Sequence, residues 1–169
     1  MNPRVVPPAA TDPQASALSD ASGAQSSVGM TVFSGVKTGD QLPLRLDFGG
    51  SCDSFDRYIL RIPAQKMTSA ASQFKISYPN YYHGAFDAKA IELIVKGKVV
   101  PAHSSWDAQA RSIEIVPTDP VAPGSPAQIV LSNVKNPAFA GIFYFTCEVL
   151  PPGGVPPLQY LGTWIVSIQ

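Results

Sequence analysis

The sequence predicts an all-β protein: an immunoglobulin-like antiparallel β-sandwich with at most one short helix. Three observations carry that reading. Seventeen prolines and thirteen glycines punctuate the 169 residues, and proline interrupts helices while both residue types suit turns. Between the turns, apolar residues recur with a period of two, which on a strand places them on one face. These runs are short and separated by turn clusters such as N-Y-Y-H-G, V-K-G-K, T-D-P-V-A-P-G-S-P and P-P-G-G-V-P-P, the layout of a sandwich or barrel. One polar face per strand favours the sandwich, because each sheet then shows one side to water.

Taken in order, residues 1–28 hold no aromatic residue and no sustained periodicity. Such a Pro/Ala/Ser-rich tract buries too little apolar area to offset ordering entropy, so it predicts a flexible arm: a leader, a linker, or a segment that orders on a partner. Met-Asn-Pro-Arg ahead of that tract fits a chain whose export signal was removed and replaced by a methionine. The folded domain is expected over 29–169, with a first element at Met30 to Phe33 and another at Leu42 to Phe48. In R-Y-I-L-R-I-P, Tyr58, Leu60 and Ile62 share one face, Arg57 and Arg61 the other, and Pro63 stops the strand. The stretch at 64–71 lacks β-branching except at Thr68 and predicts a turn or two of helix. Phe74, Ile76 and Tyr78 point inward on the next strand, as do Ile91, Leu93 and Val95 on the one after. Later strands are expected at Arg111 to Val116, Ala127 to Val134, Ile142 to Leu150 and Leu161 to Ile168. Phe143, Phe145, Cys147 and Val149 are placed at the centre of the core.

Twelve basic residues balance twelve acidic ones, and only 14% of residues are charged. No long-range field is available to gather nucleic acid or anionic lipid. No apolar run approaches the roughly 20 residues needed to cross a bilayer as a helix.

Five segments carry a family resemblance: D-R-Y-I-L-R-I-P-A, Q-F-K-I-S-Y-P, F-D-A-K-A-I-E-L, V-L-S-N-V-K-N-P-A-F-A-G-I-F-Y-F and Q-Y-L-G-T-W-I-V-S-I. Over about residues 42–169 the chain resembles a family of exported proteins of unassigned function, found chiefly in cyanobacteria and other oxygenic phototrophs. That family carries an N-P-x-x-x-G-x-Y/F-x-F segment followed by a closing Y-L-G-x-W/G strand. The resemblance implies a small domain in the periplasm or thylakoid lumen, and it supplies no catalytic residue and no cofactor.

The stretch Y-P-N-Y-Y-H-G-A-F-D, residues 78–87, concentrates aromatic and polar groups. Pro79, Asn80 and Gly84 give it turn chemistry. Tyr81 and Tyr82 cannot both face inward on an extended segment, so Tyr81, Tyr82 and His83 are the candidate partner-binding residues, with a structural lip as the plainer reading. V-P-A-H-S-S-W-D lines up His103, Ser104, Ser105 and Asp107, but neighbours on a strand point to opposite faces and the chain has no G-x-S-x-G elbow. A hairpin edge is expected there, with Trp106 packing, and the protein is expected not to be an enzyme. Asp47, Asp53 and Asp56 share one Gly/Ser-rich loop, a weak candidate for Ca²⁺, with self-bonded turn aspartates as the alternative. Transition-metal spacing is missing from the two histidines and two cysteines.

Two cysteines in an exported protein invite a bridge between Cys52 and Cys147. It would contribute roughly 4 to 5 kcal/mol in the chain-entropy model. Cys147, inward on a central strand, fits a free buried thiol equally well. The leading expectation is a non-enzymatic accessory domain that binds another protein, with the lumenal or periplasmic face of a photosynthetic membrane complex as the candidate partner. The alternative is a module for a small ligand, glycan or calcium. Open edge strands also leave room for a homodimer.

Overall fold

A computed structural model describes residues 35–155 and 157–169. The expected arm at 1–28 and the strand at Met30 to Phe33 lie outside the described residues. Thr38–Gln169 forms one compact unit. Among the described residues ten strands make two five-stranded sheets: β1 (Leu44–Leu46), β2 (Phe55–Ile62), β8 (Ala127–Lys135), β4 (Ile91–Val95) and β5 (Lys98–Val100) in one, in that order. The other runs β10 (Gln159–Ile168), β9 (Gly141–Leu150), β3 (Gln73–Ser77), β7 (Ser112–Pro117) and β6 (Ala102–Asp107). All strand pairs are antiparallel.

The core lies between the sheets because each strand turns its apolar alternate residues the same way. Tyr58, Leu60 and Ile62 from β2, with Leu93, Ile129 and Leu131, meet Phe74, Ile76, Phe145, Cys147 and Val149 from the other sheet. The inward set assigned from period two is buried at β2, β3 and β9; on β4, Leu93 is buried while Ile91 and Val95 are half-covered near a sheet margin. Trp164 of β10 is fully buried, and its Nε1 donates to the Arg61 carbonyl at 3.0 Å, tying one sheet to the other. The expected helix at 64–71 is reduced to a single 3-10 turn, Ala64–Lys66. Pro63 offers that turn no side-chain cap, and the chain leaves helical geometry at Met67, whose side chain is drawn into the core. Two further 3-10 turns occupy Thr38–Asp40 and Ala88–Ala90.

Turn chemistry sets the ends. Lys96 and Gly97 both have positive φ between the paired Val95 and Lys98, giving the two-residue hairpin that suits strand twist. Asp107 Oδ1 accepts from the Gln109 and Ala110 amides, each at 2.9 Å, and so shapes the β6–β7 hairpin. The other loops at that end, 47–54, 78–87 and 136–140, position the candidate site.

Candidate functional site: an aromatic loop end

Those three loops are stitched together by backbone hydrogen bonds. The Asp53 amide donates to the Pro137 carbonyl at 2.9 Å, and the Asn136 amide to Ser54 at 2.8 Å. Ala85 and Lys135 exchange a pair of bonds at 2.9 Å.

Beneath the loops runs a buried polar chain. The Tyr58 hydroxyl donates to Asn136 Oδ1 at 2.6 Å and lies 3.1 Å from the Tyr82 hydroxyl. Asn136 Nδ2 donates to the Ser51 carbonyl at 2.8 Å, with Asp56 Oδ2 at 3.5 Å. Asp56, 1% exposed, accepts amides from Phe48 at 2.9 Å, Gly50 at 2.8 Å and Arg57 at 2.7 Å. A buried carboxylate needs such donors to replace lost water. Burial pushes the Tyr58 and Tyr82 hydroxyls well above the usual phenol range, and the neighbouring Asp56 carboxylate adds to the shift at each.

Around that chain the aromatic rings interlock. Tyr82 meets Phe143 and Phe145 edge-on at 5.1 and 4.9 Å and stacks on Phe86 at 5.6 Å. Tyr78 lies 5.4 Å from Tyr82, and its hydroxyl accepts from Trp106 Nε1 at 2.8 Å.

What this scaffold holds out to solvent is apolar. Phe139 is 82% exposed, Phe55 64%, Phe48 63% and Tyr81 50%, and Ile142 is exposed beside Tyr81 and Phe139. Tyr81 stacks on Phe143 at 5.6 Å, and with Phe139, Ala140 and Ile142 it borders an apolar groove of about 560 Å³. Nearby charges are largely neutralised: Asp53 pairs with Lys135 at 2.8 Å, and Asp47 with Arg45 at 2.8 Å and Arg57 at 3.6 Å. Lys135 Nζ also lies over the Phe55 ring at 5.3 Å.

The sequence-derived candidates therefore separate. Tyr81 and His83 are exposed at the loop end, and Tyr82, 3% exposed, is not available to a partner: it anchors the core. The calcium reading of Asp47, Asp53 and Asp56 is corrected, because the three carboxylates diverge toward arginines, Lys135 and backbone amides. No group of three metal-ligating side chains occurs among the described residues.

The Cys52–Cys147 bridge is also corrected, since both thiols are free. Cys147 pairs with Gly162, whereas the Cys52 amide donates to the Gln169 carbonyl at 2.8 Å. From Gly162 to the end of β10 the strand spans roughly 20 Å at about 3.3 Å per residue. A disulfide needs Cα atoms within about 7 Å.

His103, Ser104, Ser105 and Asp107 lie along β6, an edge strand, as the hairpin-edge expectation has it. Among the exposed aromatics, Phe48, Phe55 and Phe139 escaped the sequence reading. For Phe48 and Phe139 the signal is a phenylalanine lodged in a turn cluster, D-F-G-G and N-P-A-F-A-G, where burial is hard to arrange; Phe55 opens β2 and carries no such signal.

The two resemblance segments prove structural. Asn136 is the hub of the buried chain, and a Cβ on Gly162 would fall 2.6 Å from the Asp40 carbonyl oxygen, at the irregularity in β10 that lets this stretch approach β9 and Leu42.

Two antiparallel sheets packed face to face, with interlocked loops at one end, define a β-sandwich domain of immunoglobulin-like class. The chain belongs to a family of proteins of unknown function, DUF2808, matched over residues 30–168. No curated protein matches the sequence. Among solved structures it is similar to BslA, described as a bacterial hydrophobin, at 15% identity and a TM-score of 0.51, covering 76% of this chain and 92% of that one. It is also similar to the collagen-binding domain of a Staphylococcus aureus adhesin, at 9% identity and a TM-score of 0.43, covering 76% and 96%. A Nocardia farcinica protein described as having an immunoglobulin-like fold matches at 15% and 0.42, covering 76% and 97%. At these identities the likeness concerns the fold alone.

Proposed function

We propose that this is a non-catalytic binding domain of an exported protein, docking on another protein through the aromatic loop end. The observation that carries the reading is the set Phe48, Phe55, Tyr81, Phe139 and Ile142, exposed on the loops and adjoining strand ends that a buried network holds. Apolar rings held in water cost solvation free energy that a partner recovers, and buried aromatics dominate the energetics of interfaces. Neutralised carboxylates around the rings suit a partner surface that is apolar rather than charged. The resemblance to exported phototroph proteins supports a periplasmic or thylakoid-lumen setting, with a membrane complex as the partner class.

The test is affinity capture from gently solubilised phototroph membranes with the wild type, Phe139→Ser/Tyr81→Ser, and Val116→Ser as an exposed control on β7. A stoichiometric complex captured by the wild type and the control, and reduced tenfold or more with the double variant, is expected; burying one Phe contributes about 2 to 3 kcal/mol. Equal capture by all three, or none above background, refutes the docking surface. Co-sedimentation of the isolated domain with protein-free vesicles, lost in the same variant, would replace the protein partner with a lipid surface.

A further inference from the structure

At the opposite end of the first sheet, β2, β4 and β8 run out together and leave a pocket. Arg61 is in register with Gln128, and Gln128 with Ile94, so the three form one row across adjacent strands. Buried neighbours on both sides of Arg61, Leu60 and Ile62, fix that row on the outer face. The Arg61 amide donates to the Pro43 carbonyl, and the Lys96 amide to Pro126, each at 3.0 Å, which brings proline and turn backbone up as walls. The pocket is half open to solvent and has a volume of about 240 Å³, below the roughly 300–1,000 Å³ of drug-sized sites.

Its chemistry is one-sided. Proline rings and Ile94 line it, with Gln128 as the central amide and Arg61 and Lys96 as the two cations; no carboxylate borders it. Neither cation joins an ion pair among the described residues, although Lys66 and Lys135 do. The walls are preformed, because proline has no side-chain rotamer freedom to lose. Lys96 sits at a positive φ in a two-residue hairpin, so the root of its side chain is fixed as well. In a chain of zero net charge this is a local positive site with an apolar floor.

We propose that the pocket binds a small monocarboxylic acid with an apolar body. The guanidinium of Arg61 takes the carboxylate in paired hydrogen bonds, Lys96 adds a point charge, and the body lies against Pro63 and Ile94. The site is remote from the aromatic loop end and stands whether or not that end docks on a protein.

The test is an amide-resolved NMR titration with phenylacetate, and with the neutral phenylacetamide, at fixed pH and ionic strength. Saturable shifts are expected at Arg61, Ile94, Gly97 and Gln128, with Tyr81 and Gly141 unmoved, and the amide should bind at least tenfold more weakly. Arg61→Gln and Lys96→Gln should each weaken phenylacetate several-fold, and Lys75→Gln on the far sheet should not. Both altered residues are exposed, and an unchanged spectrum in the absence of ligand establishes that each variant folds. Equal affinity for acid and amide, shifts centred on the loop end, or no saturation by about 10 mM overturns the proposal.

Discussion

Replacing Tyr58 by phenylalanine tests whether the buried chain holds the loop end together. The Tyr58 hydroxyl has one proton and spends it on Asn136 Oδ1, at 2.6 Å. In the contact at 3.1 Å, Tyr82 is therefore the donor and Tyr58 the acceptor. Tyr58→Phe strands two groups at once, the Asn136 acceptor and the Tyr82 donor. Each buried unpaired group costs about 1 to 3 kcal/mol, so a loss of about 2 to 6 kcal/mol is expected. Tyr82→Phe strands only one lone pair on an oxygen that keeps its own donor bond, which costs about 0.5 to 1.5 kcal/mol. The double variant should then cost no more than Tyr58→Phe alone, since no Tyr82 proton is left to satisfy. Urea denaturation with a shared m-value measures all three. Tyr82→Phe costing more than Tyr58→Phe, or the two effects simply adding, would refute the assigned direction of the network.

Three further expectations follow from burial and backbone. Burial raises the Tyr58 and Tyr82 pKa values above the ordinary phenol value. The unfolded state therefore loses these protons first: stability is full below about pH 10 and falls as pH rises beyond it. Ultraviolet difference titration of the six tyrosines should show at least two ionising only with unfolding; six ionising in a folded protein would refute this. Burial likewise pushes the Cys147 thiol up, with Glu148 adding to it, while Cys52 is half-exposed. Iodoacetamide should label Cys52 in the native protein and Cys147 only after denaturation, read by peptide mass spectrometry. Gly50→Ala should destabilise by about 2 kcal/mol or more in a thermal or urea melt, because Gly50 has φ +68 and its added Cβ would meet the Ser167 carbonyl oxygen at 2.7 Å. An unchanged melting midpoint would count against that backbone geometry.

The fold class, the described strands other than the three-residue β5, with β6 expected as a hairpin edge, and the inward faces of β2, β3 and β9 were legible in the sequence alone. Period-two alternation is a local property: Phe74, Ile76 and Tyr78 point one way whatever else the chain does. Turn chemistry is local as well, so V-K-G-K marks its hairpin directly. Which distant residues meet is not local. Tyr81 and Tyr82 are adjacent and chemically alike, yet one faces solvent and the other closes the core, because only the latter falls within reach of Tyr58 and Phe145. Three aspartates in one loop look like a cation site until the folded chain delivers a separate partner to each. Two cysteines look like a bridge until β10 sets roughly 20 Å between their neighbourhoods. Sheet pairing, which joins β2 to β8 and β9 to β3 across long stretches of sequence, decides those contacts, since side-chain partners across a sandwich are fixed by register and crossover rather than by spacing along the chain.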